Sequence, residues 1–396
     1  MIDVAIVGSG PVGTLLAAEL ARLGVAAERL ERRPTAGDGS RAVGVHATAL
    51  ALMEASGATD RLLETALRVR VGEARRRGRA LGEVRFDRLP TRHPFVATLP
   101  QSQTEAALAA TAAAWGAPPP QYGIAVTALR DQGEGVDIST DATQQPREIR
   151  ARFVVVAGGL RARTLLPIEA RRRVYPDRYL MTDADDRSGD GDRAVVHLDP
   201  AGVLESFPLP EGRRRYVAWM PERDAGAGDD AALLRDAVAA RTGSDAAASA
   251  VHSATWFGVG RSRLAALRTG RVVAIGDTAH EVSPIGGQGM NLGLIDAVTL
   301  APVLARWVRE GAAPASLDAW ERSRLRAADR AGRIAALNTT LGRPSRSGGA
   351  RGGADGDRGA AATAVRLALR SPAERLLAHA YSMGFDPAAR FARAPR

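Results

Sequence analysis

Residues 273–291 combine side chains and bare backbone in a pattern that suits a flat, negatively charged ligand. An apolar run leads, in order, to Asp277, Pro284, Gly286, Gly287 and Gly289, after which a helix is predicted. Because glycine has no Cβ, the backbone there can approach a ligand closely. The amides at the start of the helix would then face the negative charge of that ligand. The segment indicates a binding site, although the same pattern taken alone also fits an unusual loop.

A second glycine-rich turn follows the first apolar run of the chain. Gly8, Gly10 and Gly13 match the pattern G-x-G-x-x-G between a predicted strand and a predicted helix, which is the context that a dinucleotide site requires. The first glycine allows the tight turn, the second lets a pyrophosphate approach, and the third lets helix and strand pack closely. Glu31 ends the next strand and suits an unphosphorylated ribose, which favours FAD or NAD over NADP in this site. The predicted ligand contacts in this region are Gly8, Gly10, Pro11, Val12, Gly13, Glu31 and Arg32.

The elements that position these residues follow the β-α-β order of a doubly wound sheet. A buried strand is predicted at 2–7, a helix at 14–23 that ends at Gly24, and a second strand at 25–31. Further strands are predicted at 95–99, 135–140, 153–157 and 272–275, and further helices at 47–56, 104–115, 292–308 and 361–380. Residues 345–359, rich in Gly, Arg, Ser and Asp, predict a flexible loop.

Residues 175–257 have a different pattern, in which short runs alternate apolar and polar side chains. Runs such as 194–198, 203–209 and 215–220 predict an antiparallel sheet that forms a second region. Five aromatic residues lie in or beside these runs, and they fit either an aromatic substrate pocket or ordinary core packing: Phe207, Tyr216, Trp219, Trp256 and Phe257. Of these, Phe207, Trp219 and Phe257 are predicted to contact the substrate.

The composition excludes several classes of protein. The 396 residues, 45% of them hydrophobic, are enough for one large domain or two connected domains. The absence of cysteine excludes disulfides and thiolate metal sites. All basic residues are arginine, and with the abundant Ala and Gly this indicates a GC-rich genome, so the net charge of +10 is weak evidence for nucleic acid or a membrane. We find no run of about 18 apolar residues and no secretory signal, and we predict a cytoplasmic location.

Two side chains near the second glycine loop admit more than one role. Asp277 follows a predicted strand, where a carboxylate either accepts from a ribityl hydroxyl or caps the following turn. His280 is a candidate catalytic base, but a lone histidine beside a glycine loop is more often structural, and that interpretation is favoured. No His, Asp and Glu set has metal-ligand spacing, and no nucleophile elbow is present in the sequence.

Together these segments resemble the FAD-dependent aromatic hydroxylases, the single-component class of p-hydroxybenzoate hydroxylase and the polyketide hydroxylases, over residues 1 to about 330. Residues 276–280 and 284–291 resemble nearly the whole second FAD motif of that family, with Asp296 and Ala297 following. The resemblance implies FAD contacts at Gly276, Asp277, Pro284, Gly287, Gly289, Met290 and Asn291. It also implies that the backbone at Pro284, Gly286 and Gly287 borders the reactive edge of the flavin.

Two shorter segments carry the same resemblance. Residues 40–44 resemble the Arg-Ala-x-Gly segment of the family, which implies that Arg41 lies near the flavin. Residues 99–105 resemble its Leu-Pro-Gln…Thr-Glu stretch, which implies that Gln101 lies near the ribityl chain.

The sequence departs from the family pattern after the strand predicted at 153–157. The family has Ala-Asp-Gly followed by a serine, whereas this chain has Gly158 in place of the acid and Ala162 in place of the serine. In the family this motif helps to hold both FAD and the nicotinamide cofactor. Electrons from NADPH or NADH directly, from a separate reductase, or from the substrate therefore remain alternatives. Thr48 stands where family members often have arginine, and the chain is too short for the thioredoxin-like C-terminal domain of many polyketide hydroxylases.

The resemblance implies an α/β fold in which an inserted antiparallel-sheet substrate domain and a helical C-terminal region accompany a Rossmann-like FAD-binding domain. We predict FAD-binding parts at 1–174 and 263–340, a substrate-binding region at 175–262 with contributions from about 69–100, and a loop and helix at 341–396. The implied reaction is hydroxylation of an aromatic or polyketide-type natural product by O2 and NAD(P)H through a flavin C4a-hydroperoxide. The alternatives are Baeyer–Villiger oxidation, epoxidation, dehydrogenation or reduction on the same fold, and a non-catalytic partner protein. The expected partners are a small-molecule substrate and O2, without nucleic acid, membrane or metal; the sequence leaves the oligomeric state open.

Overall fold

The computed structural model describes residues 1–37, 42–142, 147–221, 228–311, 315–344, 369 and 373–394. The strands are β1 Ile2–Val7, β2 Ala27–Glu31, β3 Gly44–Val45, β4 Leu67–Val69, β5 Val71–Arg76, β6 Arg79–Arg85, β7 Val96–Thr98, β8 Gln121–Tyr122, β9 Ile124–Asp131, β10 Val136–Ala142, β11 Arg147–Val156, β12 Ala170–Asp185, β13 Ala194–Asp199, β14 Gly202–Leu209, β15 Arg213–Met220, β16 Thr255–Leu264, β17 Arg268–Thr269, β18 Val272–Ala274 and β19 His280–Glu281. The helices are α1 Pro11–Arg22, α2 Ala47–Met53, α3 Ala58–Leu63, α4 Gln101–Ala114, α5 Asp230–Thr242, α6 Asp245–Ser249, α7 Gln288–Glu310, α8 Ala315–Leu341 and α9 Ala373–Tyr381.

The first sheet has the order β17-β18-β11-β1-β2-β8, with β10 and β9 continuing from β11. Strands β18, β11, β1, β2 and β8 run parallel, and the apolar residues of β1 and β11 are buried, as in a parallel sheet covered on both faces. Val7 pairs with Val156 on one side and Leu30 on the other, while Val156 pairs with Ala274. The carboxyl ends of four strands therefore meet at one edge, where open α/β sheets bind ligands.

The second sheet has the order β19-β16-β12-β15-β14-β13-β5-β6 and is antiparallel except for the parallel pair of β13 and β5. Strands β13, β14 and β15 lie where the alternating runs predicted them. The α/β fold, with a parallel sheet, an antiparallel sheet and C-terminal helices, is therefore confirmed. The predicted domain boundaries stay a prediction.

Two long helices were not predicted from the sequence. Helix α5 lies inside the region where only strands were expected; Asp229 caps it by accepting hydrogen bonds from the amides of Ala231 and Ala232, and Gly243 ends it in the left-handed conformation. Helix α8 has 27 residues, and its buried stripe includes the small residues Ala327, Ala328, Ala331, Gly332 and Ala335. Small side chains give a weak hydrophobic pattern, which is why the periodicity of α8 is faint in an alanine- and arginine-rich chain.

The C-terminal region is described only in part. The predicted loop at 345–359 lies outside the described residues, as does most of the helix predicted at 361–380; its described part is α9. Helix α7 is long and apolar enough to cross a membrane by length and composition, but 72% of its apolar window is buried inside the molecule, as in a core helix.

Candidate active site

A cavity of about 1230 Å³ is lined both by the carboxyl edge of the first sheet and by one face of the second sheet. A pocket for one drug-sized ligand typically has about 300–1,000 Å³, so this cavity has room for more than one small ligand. The predicted site residues that line it are Gly8, Gly10, Pro11, Val12, Glu31, Arg32, Gln101, Gly276, Asp277, Pro284, Gly286, Gly287, Gly289, Met290, Phe207 and Phe257.

The three glycines of the first turn have three different surroundings. Gly8 has a φ of +107°, and a Cβ there would lie 2.7 Å from the Ala157 carbonyl oxygen. A Cβ on Gly13 would collide with the carbonyl oxygen of Gly8, so Gly13 serves the packing of α1 and does not line the cavity. A Cβ on Gly10 would meet no protein atom within 4 Å. Gly10 therefore leaves open space at the start of α1, where the backbone can approach a phosphate.

Glu31 is a buried carboxylate at the end of β2. It accepts hydrogen bonds from the amides of Ser9 at 2.8 Å and Arg33 at 2.9 Å, and from Arg33 Nε at 3.1 Å. Burial alone would raise the pKa of Glu31, but the hydrogen bonds from Arg33 and Ser9 outweigh it and lower the pKa. The side chain is therefore an ionised acceptor at the cavity wall, which fits a ribose hydroxyl.

The second glycine loop leads into the N-terminus of α7. Gly286 and Gly287 have φ values of +93° and +66°, which favour glycine, and no side chain caps the first amides of the helix. Gly287 and Gly289 both border the cavity. Uncapped amides and the helix dipole make this end of α7 a site for negative charge.

Asn291 lies behind this loop rather than in the cavity wall. Its Oδ1 accepts from the His46 amide at 2.7 Å, and its Nδ2 donates to the carbonyls of Gly44 and Gly287 at 2.8 and 2.9 Å. The side chain thus joins β3 to the start of α7. Among the described residues His46 Nδ1 has no hydrogen-bond partner, and burial lowers the pKa of His46 to about 4, so this ring borders the cavity as a neutral group.

The segment around Asp277 is held by an arginine that the sequence did not single out. Arg163 donates to the backbone carbonyls of Asp277 and Thr278 at 2.9 and 2.7 Å. Nearby, a Cβ on Gly158 would lie 2.8 Å from the Ala162 Cβ. The two departures from the family motif therefore meet in space, because Ala162 occupies the position that a side chain at residue 158 would need.

His280 belongs to a buried ionic network outside the cavity wall. Its Nε2 lies 2.6 Å from Asp296 Oδ2, and Asp296 also accepts from Arg324 Nε at 2.6 Å. Arg324 reaches Asp386 at 2.9 Å. Burial would raise the pKa of Asp296, but the charges of His280 and Arg324 outweigh it and lower the pKa. This geometry agrees with the structural role favoured for His280.

The face of the second sheet that borders the cavity is largely apolar. Phe207 and Phe257 lie in it, together with Met181, Val196, Leu198, Val203 and Val217. Trp219 does not line the cavity; its ring packs against Gly202 and its Nε1 donates to Asp177 at 3.0 Å. Tyr216 and Trp256 pack in the core beneath α5. The position of Trp219 outside the cavity wall therefore does not fit the predicted contact with the substrate.

Two predicted flavin contacts, Gln101 and Arg41, come from the shorter segments of the family resemblance. Gln101 begins α4, accepts from the Ala42 amide at 3.3 Å and donates to Glu105 at 2.9 Å, so its side chain joins the backbone at Ala42 to this helix. Arg41 lies outside the described residues.

Several cavity residues were missed by the sequence reasoning. Glu205 and Arg215 border the cavity from the second sheet, and Asn338 and Tyr381 border it from α8 and α9. The alternation of β14 could have indicated Glu205, since it shares a face with Phe207 two residues later. No local pattern indicates Asn338 or Tyr381, because long-range packing brings these C-terminal helices to the cavity.

Comparison of the sequence with known protein families shows to which family the chain belongs. A sequence profile described as "FAD binding domain" matches residues 1–335. The chain belongs to this FAD-binding family. Its uncapped α7, its open Gly10 and its ionised Glu31 fit a bound FAD, and the predictions of the family and of FAD as cofactor are confirmed.

Proteins with similar sequences or structures include several monooxygenases. The chain is 34% identical over 342 residues to anhydrotetracycline monooxygenase of Streptomyces rimosus. This match covers 81% of this chain and 66% of that protein. The chain resembles the structure of anhydrotetracycline hydroxylase from the same organism with a TM-score of 0.77 and 29% identity, over 96% of this chain and 75% of the other. The structure of p-nitrophenol 4-monooxygenase from Pseudomonas putida shares the fold, with a TM-score of 0.87 at 21% identity over 97% and 98% of the two chains. The chain spans about two thirds of the length of the curated relative named first.

Proposed function

We propose that this protein is an FAD-dependent monooxygenase that hydroxylates an aromatic, polyketide-type natural product. One observation carries the proposal: a single cavity joins the dinucleotide turn at Gly8, the amide-lined start of α7 and the apolar face of the second sheet. The similarity to anhydrotetracycline monooxygenase supports the reaction class and suggests anhydrotetracycline as the first candidate substrate.

The bound flavin would supply the redox chemistry, since it accepts electrons from a donor and activates O2. The chain's residues would then bind, orient and exclude water. Gly10 and Glu31 would hold the pyrophosphate and ribose. The amides at the start of α7 would stabilise negative charge on the reduced ring system, and the backbone at Pro284, Gly286 and Gly287 would border its reactive edge. No side-chain nucleophile is needed.

The apolar wall would hold a planar aromatic substrate opposite the flavin. Phe207 and Phe257 supply aromatic surface there, and Phe257 is itself stacked on Tyr179 with ring centroids 5.5 Å apart. Such a wall excludes water from the reacting atoms, which protects a reactive oxygen species from side reactions.

The experiment measures cofactor, turnover and product together. The purified protein should be yellow from bound FAD, should oxidise NADPH or NADH faster when anhydrotetracycline is added, and should release a product that is heavier by one oxygen atom. A Gly10→Ala variant with reduced flavin content is the matched control. A protein that gains no flavin absorbance when FAD is added contradicts the proposal.

The electron donor is a separate element of the proposal. We take NAD(P)H as the donor, but Gly158 replaces the acid that in the family helps to hold the nicotinamide cofactor. This favours a second candidate, in which a separate reductase or the substrate provides the electrons. Anaerobic mixing of the FAD-loaded protein with NADPH, with NADH and with anhydrotetracycline alone separates the cases, because only the true donor bleaches the flavin absorbance.

A further inference from the structure

Glu205 is a carboxyl group placed on the apolar wall of the cavity. It lies at the centre of β14, between Val196 of β13 and Val217 of β15, and all three residues border the cavity. Val203 and Phe207, two residues away on either side, face the cavity as well. The immediate neighbours of Glu205 on this wall are therefore apolar.

Glu205 has no cation to compensate its charge among the described residues. Arg215, which borders the same cavity, forms a bidentate pair with Asp183 at 2.6 and 2.6 Å. Burial raises the pKa of Glu205 to about 8, and hydrogen bonding to the Gly286 amide lowers it only in part. In the free protein near neutral pH, Glu205 therefore carries a proton, and it becomes a base at mildly alkaline pH.

The groups around Glu205 connect it to the loop that borders the flavin edge. Tyr381 of α9 donates to Asn338 Oδ1 of α8 at 2.8 Å, and a Cβ on Gly286 would lie 2.7 Å from Asn338 Nδ2 and 3.4 Å from Tyr381 Cε1. The proximity of Glu205 raises the pKa values of Tyr381 and Tyr179, after burial as the larger cause, so both phenols stay neutral. The imidazole of His46, beyond Gly287, is neutral too.

A purely structural role explains this residue poorly. A hydrogen bond to the Gly286 amide needs only a neutral acceptor, which glutamine would supply without a titratable group. Burying an unpaired carboxyl costs stability, since the folded protein must keep it protonated or accept an uncompensated charge. Titratable groups with displaced pKa values in a cleft are candidates for function.

We propose that Glu205 is the catalytic base that accepts the phenolic or enolic proton of the bound substrate. This rests on the proposed monooxygenase function. The O–H bond of the substrate breaks, its electron pair stays on the substrate oxygen, and a new O–H bond forms on the Glu205 carboxylate. This step is a proton transfer and involves no oxidation or reduction. The resulting phenolate or enolate is a stronger carbon nucleophile than the neutral substrate, and the proton returns to solvent when the product leaves.

The test compares Glu205→Gln with the wild type, with anhydrotetracycline as the probe. Glutamine keeps the acceptor for Gly286 but cannot take a proton. We expect FAD content to be unchanged, and product formation at saturating anhydrotetracycline to fall by about 10²-fold or more. In the wild type, product formation should rise with pH through about 8, and this inflection should be absent in the variant. Glu73→Gln is the matched control, because Glu73 is a cavity-lining acid that Arg75 neutralises.

Different results contradict the two proposals. If the wild type forms product and Glu205→Gln forms it within about twofold of the same rate with the same pH profile, Glu205 is not the base. If the FAD-loaded wild type forms no product, the proposed function on anhydrotetracycline fails instead.

A measurement without substrate tests the protonation of Glu205, whether or not the protein acts on anhydrotetracycline. The infrared spectrum of the FAD-loaded protein, minus that of Glu205→Gln, should contain a protonated carboxyl band that disappears as the pH rises through about 8. The absence of this band at neutral pH would overturn the assignment.

Discussion

Replacing Gly10 with alanine should weaken FAD binding without weakening the fold. The φ and ψ of Gly10 are −75° and −174°, a conformation that alanine adopts readily, and its new Cβ would meet no protein atom within 4 Å. The unliganded variant should therefore be as stable as the wild type, or more stable by about 0.4–1 kcal/mol, because alanine restricts the unfolded chain. The methyl group instead occupies space beside the N-terminus of α1, where the pyrophosphate must approach.

The size of the binding defect follows from that overlap. Forcing an extra methyl group into an otherwise complementary contact costs about 1–3 kcal/mol, which corresponds to about a 5- to 150-fold increase in the Kd for FAD. The assay has two parts: titration of the apoprotein with FAD, followed by flavin fluorescence, and thermal unfolding of the apoprotein. Gly13→Ala is the comparison, since its Cβ would collide with the Gly8 carbonyl oxygen and should destabilise the apoprotein by about 1–3 kcal/mol. A Gly10→Ala protein that binds FAD with the wild-type Kd would refute the reasoning.

Buried charges and the cavity wall give three further expectations. Arg324→Ala leaves Asp296 and Asp386 without their shared cation, and should lower the free energy of unfolding in urea by about 3–5 kcal/mol; an unchanged midpoint argues against the network. The pKa of Glu205 rises from 4.5 to about 8 on folding, so its contribution to stability is present below about pH 4.5 and is lost as the pH rises through about 8. The free energy of unfolding should fall by up to about 5 kcal/mol over this range. The Tm of the wild type should therefore fall relative to Glu205→Gln between about pH 5 and 9, whereas parallel curves would contradict that pKa. Phe257→Ala should raise the KM for anhydrotetracycline by about 10-fold with FAD affinity unchanged, and an unaltered KM would remove this residue from the substrate wall.

The sequence was most informative where backbone geometry itself forms the site. Gly8, Gly13, Gly286 and Gly287 could be predicted because a close backbone contact or a positive φ requires glycine there. Gly10 could be predicted because the dinucleotide motif needs space for a phosphate at that position. The strands β1, β2 and β18 were predicted for a similar reason: their buried apolar runs are local patterns. The two glycine turns could also be paired from the sequence as two ends of one dinucleotide site, and both border the same cavity.

The sequence was least informative where long-range packing selects the neighbours. Trp219 and Phe257 both lie on strands of the second sheet, yet only Phe257 borders the cavity. Asn338 and Tyr381 reach the cavity through α8 and α9, whose places depend on contacts such as the pair of Arg324 and Asp386 and not on local periodicity. The displaced pKa of Glu205 depends likewise on strands that bury it from both sides.

The origin of the added oxygen tests the central claim most directly. The FAD-loaded protein is incubated with anhydrotetracycline and NADPH or NADH under isotopically heavy oxygen gas, and the product is analysed by mass spectrometry. A flavin monooxygenase should give a product that contains one heavy oxygen atom, with none incorporated when the heavy isotope is supplied only as water. A product whose new oxygen comes from water, or oxidation of the substrate without a new oxygen atom, would contradict the account.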